Sequence, residues 1–215
     1  YHILHIGPLP PPAGGMETFL SHIMDSKLGN EYVLRILNMS KPGLPASVKS
    51  GTSSGYREAF MRPLFYSALS YFWSVLYFYR FLLFIMCHKI HLVHIHTASY
   101  TSFWEKCFYI LCCVRMNKKV VLHVHGSCFK EFYCRHHPLF QKLICVFLAM
   151  CDRVIVLSPV WKRFFDQEMP SIRTTTIENG IRMPEWPDRV DKTPHPSLLY
   201  VGELSRRKGI HDLAA

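Results

Sequence analysis

What the chain lacks narrows its class first. Eight cysteines in 215 residues are too sparse for a small disulfide scaffold, none of their spacings is C-x-x-C, and Cys112 and Cys113 are adjacent. This excludes a cysteine-stapled module and a thioredoxin-type pair, and the expected state is a set of reduced, buried thiols. Acid is scarce as well, with 15 Asp and Glu against 25 Lys and Arg, and no Asp-x-Asp could hold a nucleotide-bound cation. There is no H-E-x-x-H, no third glycine to make Gly14-Gly15 a G-x-G-x-x-G fingerprint, and no Gly-Lys-Ser/Thr of a Walker loop. Internal repeats are absent. The start, from Tyr1 to Ile6, has no basic region, apolar stretch and small-residue cleavage site in succession, so it reads as a strand rather than a secretory signal. The cytoplasm is the expected compartment.

What is present describes a folded chain. At 49% hydrophobic, 19% charged and 14% aromatic, the composition can bury enough apolar surface to leave the disordered and low-complexity classes. The net charge of +10 favours nucleic acid, anionic lipid or phosphorylated ligands. Its basic residues are scattered, and no helix-turn-helix, zinc-finger or RNA-binding aromatic signature accompanies them, so nucleic acid is not an expected partner.

Short β-rich runs at 2–6, 32–37, 92–96, 120–125, 154–157 and 175–177 alternate with helical stretches at 16–27, 63–87, 102–115, 138–151 and 160–167. That alternation predicts βαβ units: an α/β, Rossmann-like parallel sheet with helices on both faces. Ser158-Pro159 supplies a cap and a first-turn proline for the last helix. Residues 40–62 read as a loop. Further on, 183–196 holds four prolines among charged residues, the composition of an interdomain linker. The expected organisation is an N-terminal domain over 1–182, a linker over 183–196, and in 197–215 a strand and helix start that open a second domain cut short.

The apolar stretch 64–87 contains one charge, Arg80, and is long enough to cross a bilayer, for which about 20 residues suffice. Ser67, Ser70, Ser74, Tyr77 and Arg80 recur at spacings of three and four, and a polar stripe of that kind is expected on a helix packed against the sheet with an amphipathic or membrane-touching face. A true span is the alternative.

Two features carry chemistry. Gly14-Gly15 precedes a helix start, where backbone N–H groups can approach an anion and the helix dipole favours negative charge; a plain glycine turn is the other reading. The pairs His94-Ile-His96 and His123-Val-His125 each put both rings on one strand face. A metal cluster is conceivable there, but no recognised ligand spacing accompanies the pairs, Cys134, His136 and His137 included, and no metal is expected. Ligands bind at the carboxyl ends of strands in open α/β sheets, so His125, before Gly126-Ser127, is the best-placed catalytic candidate, with a core-bonded histidine as the alternative.

Gly14-Gly-Met-Glu17, Lys119-Val-Val-Leu-His-Val-His-Gly-Ser127, Asp152-Arg-Val-Ile-Val-Leu-Ser158, Ile177-Glu-Asn-Gly-Ile181 and Tyr200-Val-Gly-Glu-Leu-Ser-Arg-Arg-Lys-Gly209 occur in that order. Together they resemble a bacterial family 4 glycosyltransferase of GT-B architecture, over essentially the whole chain. The resemblance implies two Rossmann-like domains facing a cleft, the first holding mostly the acceptor and the second mostly the nucleotide-sugar donor. It implies amides of Gly14 and Gly15 on the donor phosphate or reacting sugar, His125 lining the active site, and Lys208 neutralising the donor diphosphate, with Arg207 second for the same task. Retention of configuration without a metal is likewise implied. The chain departs from the family where Gly202-Glu203 replaces Gly-Arg and where His91 stands in place of a frequent Asp, and the second-domain Glu-x7-Glu motif would fall after Ala215.

The expected function is transfer of a sugar from a nucleotide-diphosphate sugar, a donor substrate rather than a cofactor, to a saccharide or lipid-linked hydroxyl in bacterial surface polysaccharide or glycolipid synthesis. An anionic membrane surface on the inner face is an expected partner, and the fragment alone is expected to be inactive. A GT-B-shaped nucleotide-sugar epimerase and a non-catalytic membrane-associated binding module are the alternatives.

Overall fold

The computed structural model describes residues 1–11, 14–41, 62–126 and 128–180. Among them, strands β1 (His2–Gly7), β2 (Val33–Asn38), β3 (Leu92–Thr97), β4 (Lys119–Val124), β5 (Arg153–Val156) and β6 (Thr174–Thr176) form one parallel sheet in the order β2-β1-β3-β4-β5-β6. Helices α1 (Gly15–Met24), α2 (Arg62–Cys87), α3 (Thr101–Arg115), α4 (Phe129–Arg135), α5 (Pro138–Ala149) and α6 (Pro159–Glu168) occupy the connections. This is the Rossmann-like α/β arrangement expected from the alternation of runs. The short helix α4 has no counterpart in the sequence reading, because Phe129, Phe132 and Tyr133 span too few turns to show a period. Tyr1–Gly180 is one compact unit. The linker over 183–196, the second-domain start over 197–215 with Lys208 and Arg207, and most of the loop over 40–62 lie outside the described residues.

Alternation along the strands divides the sheet chemically. Leu4, Ile6, Val93, Ile95, Leu122, Val124, Val154 and Val156 share one face and are buried in a single apolar core with Phe81, Phe103, Ile110, Phe129, Leu148 and Phe165. Right-handed crossovers place α1, which returns to β2, on the face opposite the helices that lead across to β3 and onward. Gly7 makes room for α1: a Cβ there would lie 2.5 Å from Leu20 Cδ1 and 3.2 Å from His96 Cβ. The last helix begins as expected, with the Ser158 hydroxyl accepting a hydrogen bond from Trp161 N–H at 3.3 Å and Pro159 in the first turn.

Helix α2 packs on the domain through Tyr77, Phe81 and Ile85, which lie in the common core. Part of its polar stripe turns inward. Lys41 Nζ donates to the hydroxyls of Ser70 and Ser74 at 3.2 and 2.7 Å, the Tyr77 hydroxyl donates to the Ser40 carbonyl, and Lys41 pairs with Glu105 of α3 at 3.5 Å. Only Ser67 and Arg80 of the stripe are exposed. The face turned to solvent is instead apolar, carrying Tyr71, Phe72, Val75, Tyr79, Leu83 and Met86. The helix is amphipathic in reverse, because its hydroxyls satisfy a partly buried cation, Lys41, rather than water.

Candidate functional site

Parallel pairing aligns His5 of β1 with His94 of β3, and His96 of β3 with His123 of β4. Since every second residue shares a face, one face of three adjacent strands becomes a row of imidazoles, continued by His125 just past the end of β4. His5 Nδ1 lies 3.3 Å from His96 Nε2, and His96 Nδ1 lies 3.0 Å from His125 Nε2, so His96 bridges the other two rings. A neutral imidazole offers one donor and one acceptor, and His96 uses both. Phe19 of α1 lies over the group, its ring centroid 5.1 to 5.8 Å from those of His96, His123 and His125.

Burial dominates the protonation of this cluster. It pushes His5 and His125 down to about 4 and His123 to about 3, in the last case with help from neighbouring His125 and His5. His94 and His96 are held well below the usual imidazole value, first by burial and then by the surrounding rings. All five are therefore neutral at pH 7. His123 is fully enclosed, and neither of its ring nitrogens has a hydrogen-bond partner among the described residues; the same holds for His94 Nε2.

The strand order reverses direction between β1 and β3, and in open α/β sheets the carboxyl ends at such a point form the ligand crevice. His96 and His125 stand at that edge, with Gly7 closing β1 beside them. The loop after β1 is tied down by the end of β2: Leu9 N–H donates to Asn38 Oδ1 and Ser40 Oγ at 3.1 and 3.0 Å, and Met39 N–H donates to the Gly7 carbonyl at 3.0 Å. It delivers Gly14 as an extended N-cap and Gly15 as the first residue of α1, with no side-chain cap hydrogen bond from Gly14. The Glu17 carboxylate folds back over Gly14, 2.5 Å from where a Cβ would stand, while nothing lies within 4 Å of a Cβ at Gly15. The helix start thus has open space beside Gly15 and the carboxylate of Glu17 beside Gly14.

The structure brings Gly14, Gly15 and His125 to the same end of the sheet through α1 and Phe19, while Lys208 and Arg207 lie outside the described residues. Backbone contacts fix His125: its N–H donates to the Thr97 carbonyl at 2.8 Å, and a Cβ at Gly126 would stand 2.9 Å from Ser99 N. The sequence pattern marks His94 and His96 of β3, His123 of β4 and His125 just after it, but not His5 or Phe19. Register between β1 and β3 was the missing signal. His91, where the family often carries Asp, accepts a hydrogen bond from His2 N–H at 2.9 Å through Nδ1 and stacks on Tyr1.

The six-stranded parallel sheet with its crossover helices defines a Rossmann-like domain, and Gly14, Gly15 and His125 lie at its carboxyl edge. The chain belongs to Glycosyltransferase Family 4, whose pattern it matches over residues 13–183, and that stretch has the character of the N-terminal domain of a GT-B enzyme. None of the curated proteins compared with it gives a significant match.

Proposed function

We propose that this domain serves a transferase that moves a sugar from a nucleotide-diphosphate donor to a hydroxyl of a saccharide or lipid-linked acceptor, with retention of configuration and without a catalytic metal. The acceptor is presented at the anionic inner face of the cell membrane, in surface polysaccharide or glycolipid synthesis. The donor is a substrate, and no cofactor enters the reaction.

The observation that carries this reading is the place of His125, just past the end of β4 and linked through Phe19 to the Gly14-Gly15 start of α1. Burial pushes its pKa down to about 4, so at this place the ring is a neutral hydrogen-bonding group at pH 7, unsuited to neutralise a diphosphate. With Nε2 engaged by His96 at 3.0 Å, Nδ1 is the nitrogen that meets a hydroxyl of the reacting sugar or acceptor. Charge that builds on the leaving diphosphate is met by other groups: the amides of Gly14 and Gly15 at the positive end of α1, and Lys208 with Arg207. Substrate positioning falls to the neutral ring and charge stabilisation to amides and cations.

His125→Ala in the complete enzyme should lower turnover by roughly 10²-fold, the range for a positioned polar group, with the melting temperature little changed. A histidine that served only packing would show the reverse, near-normal turnover and a stability loss of about 1–3 kcal/mol. Release of nucleoside diphosphate, followed with a panel of nucleotide sugars, is the turnover assay.

A further inference from the structure

We propose that His96, His123 and His125 form a binding site for a divalent transition metal of the zinc class. One ligand atom from each of the three residues lies within 4.8 Å of the other two. A tetrahedral ion with Zn–N bonds of about 2.0–2.1 Å needs its nitrogens roughly 3.3 Å apart, so the rings must close by up to about 1.5 Å. His96 Nδ1 and His125 Nε2, 3.0 Å apart, already stand at such a separation. The second, independent sign is His123. A fully enclosed imidazole with neither nitrogen paired is costly unless something fills the place of the missing partner. A metal ion among the three rings would take the lone pair of His123 and replace the His96–His125 hydrogen bond with two stronger contacts.

Donor chemistry selects the ion. Three imidazoles suit zinc, copper, nickel or cobalt, whereas magnesium and calcium prefer oxygen. Three protein ligands leave a fourth position open, and half-buried His125 at the strand end gives the ion its way in. A second set, His5, His94 and His96, shares His96 with the first, so one ion at a time can use that ring. The first set is favoured because it contains the wholly unpartnered ring and the accessible one. One consequence rests on the transfer reading given above: an ion bound at His125 Nε2 draws that ring inward toward His123 and so moves Nδ1 away from the hydroxyl of the reacting sugar, which makes zinc an inhibitor and not a cofactor.

The test begins with tag-free protein stripped by EDTA and titrated with ZnCl2 by calorimetry, and with CoCl2 by visible absorption. One equivalent per chain, the absorption of tetrahedral cobalt and a raised melting temperature are expected. His123→Gln should weaken zinc binding by at least about 100-fold, since even the loss of an outer-shell partner costs 10–100-fold. Should circular dichroism show that variant unfolded, His125→Gln, outside the strands, replaces it. Absence of a stoichiometric site, undiminished binding in these variants, or binding lost in His94→Gln but kept in His123→Gln each overturns the assignment. In the complete enzyme, zinc should suppress transfer and EDTA restore it. Binding without suppression keeps the metal site and removes His125 from the transfer reaction, while an active enzyme that binds no zinc leaves the transfer reading standing and ends the metal site.

Discussion

Gly15 and Gly126 are the same residue under opposite steric constraints. A methyl group at Gly15 meets nothing within 4 Å, and the position opens a helix, where alanine is favoured over glycine by roughly 0.5–1 kcal/mol. Gly15→Ala should therefore hold or raise the melting temperature. If its amide approaches the donor, the same methyl group fills the space a phosphate or sugar needs, and kcat/KM should fall. Full activity in Gly15→Ala would remove this residue from the donor contact. At Gly126 a Cβ would stand 2.5 Å from Ser99 Oγ and 2.9 Å from Ser99 N, and backbone cannot swing aside. Gly126→Ala should cost about 1–3 kcal/mol and displace neighbouring His125, lowering stability and turnover together. The glycine pair before the helix was legible in the sequence, whereas the constraint on Gly126 was not, since Ser99 lies 27 positions away on a different connection.

Among the elements, α2 and α3 are joined by an ion cluster in which Glu105 holds two cations, Lys41 and the buried Lys106, each at 3.5 Å. Burial by itself would raise the Glu105 pKa, but Lys106 and Lys41 outweigh it and the net shift is downward. Glu105→Gln should destabilise the domain by about 3 kcal/mol at pH 7, because it leaves an enclosed ammonium without its counter-ion. The sign of the pH dependence follows from a folded pKa below the unfolded value near 4.5. The contribution of the carboxylate is fully present above pH 4.5 and is lost as pH falls through the folded value. The stability gap between wild type and Glu105→Gln, followed by urea melts, should close in acid; a gap that persists there would assign the effect to packing. The same cluster supplies what the serine stripe of α2 left open: its spacing defines one helix face, but spacing does not say whether that face meets water or a partly buried lysine.

For the whole molecule, the reversed helix and the net charge of +10 combine. Tyr71, Phe72, Val75, Tyr79, Leu83 and Met86 face outward on α2 and Phe108 and Leu111 on α3, and only 17% of the apolar window of α2 is buried inside the domain. Aromatic side chains suit the interfacial region of a bilayer, and each nearby basic residue adds about 1 kcal/mol toward an anionic surface. The chain should bind vesicles containing anionic lipid, bind neutral ones less, and come off in high salt or carbonate. Phe72→Ser with Tyr79→Ser should weaken vesicle binding with little loss of stability, since both side chains are exposed. A requirement for detergent would establish a span instead, against the packing of Tyr77, Phe81 and Ile85 in the core.

The sequence by itself determined the class of the fold, because strand and helix periods are local and survive without neighbours. It also determined the approximate place of each element, the glycine pair before α1, and the position of His125 at a strand end. Only tertiary structure decided what surrounds those residues. Strand order set β1 beside β3 and so brought His5, 91 residues away, to His96; register placed His96 beside His123; and the packing of α1 laid Phe19 over the group. The inward turn of the α2 hydroxyls was decided likewise by Lys41 and Glu105, on two other elements. The physical reason is common to all of these. A side chain's period is written along its own segment, but its protonation, its partners and the solvent it meets come from segments that only folding brings near.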